Sequence, residues 1–400
     1  MSLFLGRKTK LFVLFGGKYF EIPVLDGYSF SQSTNTTEVT LNEATNAAGA
    51  SKRGRKVFNS SLSPVEFSFQ TYMRPFVNSG TDGVGTNGSV GTTAGRTHTV
   101  ESILWGLFAG TATTYSADGT TITDGTNTIV SNGATTSDVT FEHSNKSTLG
   151  EAVFYFVVSD GDGTSSINYV IDKAVINEAS IDFDIEGIAT ISWSGMGATL
   201  QEEDNADGSA DIAAITRATA NTVYDNRDDS NNFIQNKLTT ISLVAVDDSS
   251  GNTGVNFQTP FPGKGSGVYD IVATGGSLSI SNNLSFLTPE ELGVLNTPIA
   301  HVTGTRTVSG NISCYLNEQS GGSADLFQDL SENYVADVNK FALVINLGGE
   351  SGNRCVISLP TAHIVPPTHS VEDVISVDVA FEGLPDDIAS TGEVTLSYDT

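Results

Sequence analysis

The residues of this chain that could do chemistry are few and dispersed. The densest group is "SKRGRK", residues 51–56, where Lys52, Arg53, Arg55 and Lys56 put four positive charges into six positions. Three readings suit it: a contact with the acidic surface of another molecule, a solvated loop, or a nucleic-acid contact. The last is the weakest, because no aromatic residues interleave with the charges and no binding motif surrounds them. "GVGTNG", residues 83–88, has the spacing of a phosphate-cradling loop, yet it lies in a Gly/Thr/Ser run with no helix opening behind it. "DGDGTS", residues 160–165, looks like the start of a calcium loop, but Ser165 stands where the sharp turn needs glycine and Ile171 where a bidentate carboxylate belongs. A tight hairpin turn is the better reading.

The histidines, His98, His143, His301, His363 and His369, are scattered, and the one close pair is split by Pro366 and Pro367. That spacing makes no metal site. Cys314 and Cys355 sit in the apolar runs "NISCYL" and "NRCVISL", as buried thiols would, and two cysteines are no disulfide framework for 400 residues. No serine occupies a G-x-S-x-G elbow, and no pair of carboxylates is singled out as acid and base. These residues point to no enzyme, no cofactor and no metal.

Charge narrows the partners further. The chain has 19 basic and 46 acidic side chains, a net −27. Such a surface repels phosphates, so tight nucleic-acid binding by the body of the protein is excluded. Residues 1–200 carry 12 basic and 19 acidic groups, and residues 201–400 carry 7 and 27, so the acidity concentrates in the second half. The N-terminal "LFVLF" is cut off by Gly16-Gly17-Lys18 and is too short for a signal peptide, and no later run reaches membrane-spanning length. Synthesis in a cytoplasm with no membrane insertion is expected.

The elements that must position these residues read as mainly β. Gly, Thr, Ser, Asn and Val are abundant, which favours short strands joined by turns. "KLFVLFGGKYFEIPVLDGYSFSQST" (10–34) reads as a hairpin hinged at Gly16-Gly17-Lys18. "SPVEFSFQTYMRPF" alternates Val65, Phe67 and Phe69 with Glu66, Ser68 and Gln70, the pattern of a half-buried strand. Residues 77–99 form a Gly-rich insertion read as a mobile surface loop, and "VESILWGLFAG" (100–110) has the spacing of a short amphipathic helix ended by Gly110. Residues 111–150 are turn-rich with weak strands and read as a second, decorating insertion. In "ASIDFDIEG" Ile181, Phe183 and Ile185 alternate with Asp182, Asp184 and Glu186, giving an apolar face and an acidic one.

Residues 201–232, with eight acidic and two basic groups, read as an acidic linker. Beyond it the order of elements returns. "NKLTTISLVAVDDSSGN" parallels "TKLFVLFGGK", "RTVSGNISCYLNE" parallels "SPVEFSFQTYMRP", and "GSADLFQDLSENY" parallels the segment around Trp105. At an offset of 188, Ala174 aligns with Ala362, Ile176 with Ile364, Ile191 with Val379, Trp193 with Phe381 and Gly195 with Gly383. A repeated order of hairpin, long loop, strand, helix, hairpin and closing strand points to duplication. The domains expected are 1–200, with the insertions at 77–99 and 111–150, and 233–400, with the linker 201–232 between them. Trp193 and Phe381 would pack against the short helix of each half.

With that order in view, the chain resembles the tail tube proteins of long-tailed bacteriophages, in the branch where two tube domains share one polypeptide. The likeness is carried by "SLFLGRKTKLFV", "STNTTEVTLNEA", "KVFNSSLSPVEFSFQTYMRPF", "ESILWGLFAG", "IATISWSGMGATL", "IQNKLTTISL", "SNNLSFLTPEEL" and "FALVINLGGE". No single segment is a chemical fingerprint; their number and order make the resemblance. It implies two tandem β-sandwich or half-barrel domains, each with a short α-helix, closing into a β-barrel ring on oligomerisation. Three two-domain chains would form a pseudo-hexameric ring, and rings would stack into a virion tail tube that conducts DNA during ejection.

The resemblance further implies partners: other copies of this chain, a tape measure protein, terminator and tip proteins, and viral DNA passing without specific binding. It gives Lys52, Arg53, Arg55 and Lys56 a role in a long hairpin loop reaching the adjacent ring. Asp182, Asp184 and Glu186 form an acidic face that would suit the lumen or, equally, the outer wall. Some members of the branch carry a further immunoglobulin-like domain, which is not expected here after "GEVTLSYDT". Another β-rich virion component, such as a capsid decoration or baseplate protein, and a carbohydrate-binding or carbohydrate-degrading β protein fit the same composition.

Overall fold

The computed structural model describes residues 6, 9–39, 47–48, 55–78, 93–141, 147–159, 166–203, 232–245, 268–292, 296–332, 341–385 and 392–400, except 117, 320, 366–367 and 372–374. The Gly-rich stretch 79–92, the turn at 160–165 and most of the acidic linker, 204–231, lie outside the described residues. Among those described, no helix is long and apolar enough to cross a membrane.

The chain starts with the hairpin β1 (Lys10–Phe15) and β2 (Lys18–Ile22), turned at Gly16 and Gly17, whose φ angles of 58° and 76° are left-handed. β3 (Ser29–Ser31) follows, then β4 (Thr34–Val39) and β5 (Lys56–Leu62), which pair with each other as a two-stranded ribbon, with a bridge from Ser61 to Asn296 at its base. β6 (Val65–Tyr72) buries Val65, Phe67, Phe69 and Thr71 and exposes Glu66 and Gln70, as its alternation requires. β7 (Pro75–Val77) and β8 (Thr97–Thr99) form a small pair leading into α1 (Ser102–Ala109).

After α1 come β9 (Thr114–Tyr115), β10 (Thr121–Thr123), β11 (Thr128–Asn132) and β12 (Thr136–Thr140), a meander. β13 (Ala152–Ser159), β14 (Ser166–Asp184), β15 (Thr190–Gly197) and β16 (Thr199–Glu203) complete the first half. The second half runs β17 (Thr240–Ala245), β18 (Val268–Ile271), β19 (Ala273–Ser281), β20 (Leu284–Leu287), β21 (Ala300–Thr303) and β22 (Thr307–Tyr315). Then come α2 (Ser323–Glu332), β23 (Phe341–Leu347), β24 (Arg354–Ile364), β25 (Thr368–Val371), β26 (Ile375–Gly383) and β27 (Thr395–Asp399).

Two long strands organise the layers. β14 pairs with β13 and β16 over its first part and with β15 and β19 over its second, changing sheets near Lys173, whose φ is 49°. β24 does the same, pairing with β23 and β27 and then with β26. One continuous antiparallel sheet therefore runs β3-β6-β15-β14-β19-β22-β26, with β25 and the end of β24 on the far side of β26. The order β3-β6-β15-β14 is followed by β19-β22-β26-β24/β25, and each half backs its part with a second layer built from an opening hairpin. Among the described residues one large apolar cluster runs through both halves, with smaller ones around Phe12 and Tyr155 and around Leu149, Val175 and Leu284.

The register of the repeat differs from a constant 188. Gly195 pairs with Ile176, whereas Gly383 pairs with Ala362, two residues short of Ile364.

Three cross-strand pairs in the continuous sheet join a phenylalanine to a glycine: Phe67 with Gly195, Phe183 with Gly276, and Phe381 with Gly310. A methyl group on these glycines would lie 2.4 to 2.6 Å from the partner ring, so each ring rests on bare backbone.

The helix departs from the amphipathic expectation. Every residue of α1 is buried, because β10–β12 and β27 cover the side that would otherwise meet water. Trp193 packs against it, its ring 4.8 Å from Trp105 and 6.1 Å from Phe108. Trp105 donates through Nε1 to the Tyr398 hydroxyl at 2.8 Å. Residues 111–150 are thus woven into the sheet: β12 pairs with β27, which pairs with β24. Cys314 and Cys355 are free, buried thiols.

Candidate functional site

The described surfaces with unusual chemistry are flat faces, open edges and ribbons. Among the described residues no three His, Cys, Asp or Glu side chains converge as metal ligands.

The β4–β5 ribbon stands away from the core. All of β4 and residues Lys56–Ser60 of β5 are exposed, including Val39, Val57 and Phe58 at 41%, 47% and 49%. A two-stranded ribbon without a core beneath it is marginal in water, so exposed apolar residues on it ask for a partner. Of the predicted basic group, Lys52 and Arg53 lie outside the described residues. Arg55 is mostly exposed and 3.7 Å from Glu38, and Lys56 places its ammonium 4.8 Å from the Phe58 ring centroid. At its base the ribbon is tied by the Leu62 N–H donating to the Asn296 carbonyl at 2.8 Å.

The second ribbon, β20–β21, is docked on the first half, and sequence reasoning missed its anchors. His301 is buried and accepts at Nε2 from the Leu149 N–H at 2.9 Å, which leaves Nδ1 to donate to Glu151 at 3.0 Å. Burial lowers the pKa of His301, against a smaller opposing pull from Glu151. Lys173 donates to the Ile299 carbonyl at 2.9 Å. Arg306 reaches the Ala109 and Phe141 carbonyls and Asn282 Oδ1, each at 3.1 Å, with Glu393 at 3.5 Å. Neither His301 nor Arg306 sits in a motif, because their partners come from distant segments.

The face of the continuous sheet turned from the core is hydroxyl-rich. Ser68, Ser194, Ser192, Ser180, Ser279, Ser277 and Ser309 occupy successive outward positions, alongside Glu178, Asp182, Asp184, Asp378 and Glu382. No lysine or arginine stands at the outward positions of β6, β15, β19, β22 or β26, or of β14 from Glu178 on. Hydrogen bonds knit the strands together here, such as Gln70 to Ser192 at 2.9 Å, Ser279 to Glu178 at 2.8 Å and Ser313 to Asp378 at 2.6 Å. Asp182 and Asp184 share this face and are exposed. Glu186 lies beyond the strand in a bend, and there Ile185 is turned outward, 51% exposed rather than on the apolar face.

Two buried titratable groups set a pH window for stability. Burial pushes the Glu101 carboxyl, at the start of α1, up to about 8. Burial, helped by Arg96, pushes His98 down to about 3. Glu101 stabilises the fold fully below 4.5, its ordinary value, and loses that contribution as pH rises towards about 8. His98 contributes fully above 6.5 and loses its share as pH falls towards about 3. Between 4.5 and 6.5 the two slopes oppose each other, and above 6.5 that of Glu101 remains. Thermal melts of Glu101→Gln are expected to lose most of the decline on the alkaline side while keeping the acid decline.

Comparison with known proteins completes the picture. No protein-family model matches the chain. A curated relative, the tail tube protein pb6 of Escherichia phage T5, is 30% identical over 410 aligned positions, covering all of this chain and 76% of that protein.

Proposed function

The chain belongs to the tail tube proteins of bacteriophages, and from that membership we propose that three copies close into a ring, rings stack into a tube, and phage DNA leaves through its lumen into the host. The observation that carries the reading is the seam between β14 and β19, seven residue pairs from Glu178–Ser281 to Asp184–Gly275. It joins the last strand of one half to the first strand of the next. The open edges that remain, β3 at one end and β25 with the tip of β24 at the other, are the same two kinds of edge. Repeating the seam between chains consumes both and closes the sheet as a barrel. Each half is then one tube domain, and three chains do the work of six.

In that ring the hydroxyl face lines the lumen. Serines give a smooth polar wall, and carboxylates without neighbouring cations repel passing phosphates. Lys52, Arg53, Arg55 and Lys56 reach the adjacent ring, Lys56 as the first residue of β5, so stacking weakens as salt rises. The subunit acts without catalysis, is made in the host cytoplasm, and meets the tape measure, terminator and tip proteins at the tube's core and ends.

Negative-stain microscopy of the purified full chain tests the reading. Rings or tubes with a central hole are expected at raised concentration. Strictly monomeric particles at every salt and protein concentration would overturn it.

A further inference from the structure

The two ends of the β14–β19 seam differ. At one end the chain leaves β3 into the ribbon and returns into β6, beside Met196, and Ser281 leads into β20. The other end, about 20 Å away along the strands at ~3.3 Å per residue, is where Asp184 pairs with Gly275. There the topology gathers four exposed apolar residues, Ile185, Ile188, Leu238 and Val272, at 51%, 39%, 54% and 54%. Ile185 and Ile188 lie in the turn from β14 to β15, and Val272 in the link to β19. Ile188 bridges to Gln235, three residues before Leu238. Asp184 and Glu186, both exposed, rim this cluster.

We infer that this apolar, acid-rimmed end of the seam is the socket for the β4–β5 ribbon of a second copy of the chain in the adjacent ring. The inference rests on the stacked-ring reading and adds the surface that receives the ribbon. The two surfaces match in kind: Val39, Val57 and Phe58 meet the aliphatic cluster, while Arg55 and Lys56 meet Asp184 and Glu186. The other ribbon, β20–β21, leaves from the same end but leads to the exposed Glu290 and Glu291, whose charges would oppose Asp184 and Glu186, so the β4–β5 ribbon is the complementary one. Plug and socket at opposite ends of one subunit make a heterologous contact that never closes on itself, which is the symmetry a stack of unlimited length needs.

The socket also gives Asp184 and Glu186 work distinct from that of Asp182. Asp182 stays on the sheet face, two residues inside the end.

Charge exchange in the full-length chain tests this. Arg55→Glu with Lys56→Glu, and separately Asp184→Lys with Glu186→Lys, are expected to keep the wild-type melt and the ring diameter while reducing pelletable tubes on the order of tenfold, since charge repulsion repeats around each ring. The four changes combined should restore tubes. Ile188→Asp should unstack rings with no charge change on the ribbon. Tubes of normal length from Asp184→Lys/Glu186→Lys, or a combined variant no better than its parents, would overturn the socket while leaving the ring intact. A wild-type chain that never assembles would overturn the ring reading, and the socket with it.

Discussion

Gly276→Val is expected to break the seam. The substituted Cβ would sit 2.4 Å from the Asn311 carbonyl oxygen and 2.6 Å from the Phe183 ring. The ring can rotate, but the carbonyl belongs to β22, on the far side of β19 from Phe183, and is fixed by its own pairing. The backbone at Gly276 is not left-handed, so the cost is collision rather than conformation. Overpacking of this kind costs about 1–3 kcal/mol, and more when the neighbour is backbone. Urea unfolding followed by tryptophan fluorescence should therefore show a loss of about 3 kcal/mol or more, together with failure to form rings. Ser277→Ala, next along on the outward face, loses one hydrogen bond to Asn311 (2.7 Å) and should cost about 1 kcal/mol with assembly retained. Gly276→Ala with Phe183→Leu should recover only part of the loss, because the carbonyl remains. Full recovery would place the whole conflict on the ring.

Arg306→Ala should be nearly as damaging. α1 ends with carbonyls that no later turn satisfies, and the second half supplies their donors: Asn282 Nδ2 to Phe108 at 3.1 Å and Arg306 Nη2 to Ala109 at 3.1 Å. The same guanidinium serves Phe141, Asn282 and Glu393 and lies 5.0 Å from the Phe141 ring centroid. Removing it strands a carboxylate and two carbonyls in a largely buried site, a loss of about 3–5 kcal/mol. Arg306→Lys should rescue little, since one ammonium cannot span four acceptors in a fork. Glu393→Gln should cost only about 1 kcal/mol, because the other three contacts persist. A midpoint unchanged in Arg306→Ala would mean that the other contacts between the halves, such as Asn282 with Phe108 and β12 with β27, hold them without it.

What could be read from the residues was local. The Gly16-Gly17 hairpin, the alternation of β6 and the burial of both cysteines follow from patterns within a dozen residues, and the structure has them. The helix around Trp105 looked one-sided because its outer cover, β10–β12 with β27, comes from later in the chain. That Gly383 pairs with Ala362 rather than Ile364 leaves no mark in composition. Gly276 looks like a turn glycine in "ATGGSLS", yet it lies mid-strand beneath a ring that arrives from β14. His301 and Arg306 were invisible as anchors, since half of their partners are backbone atoms more than a hundred residues away. The ribbon was readable from its charge, but its freedom from the core was not. That freedom depends on which elements fail to cover it.

The position of β27 has a consequence for how the subunit is made. This strand fills the slot between β12 of the first half and β24 of the second, and its Tyr398 meets Trp105 from 293 residues away. On the ribosome, everything from the helix to β26 emerges before the piece that seals them. A nascent or prematurely terminated chain therefore carries an unsealed outer layer with a bare edge on β12 and another on β24. Such a chain exposes unpaired strand edges of the kind that chaperones and proteases meet in incompletely folded chains. A chain cut short before β27 is therefore expected to be digested faster in limited proteolysis than one that includes it.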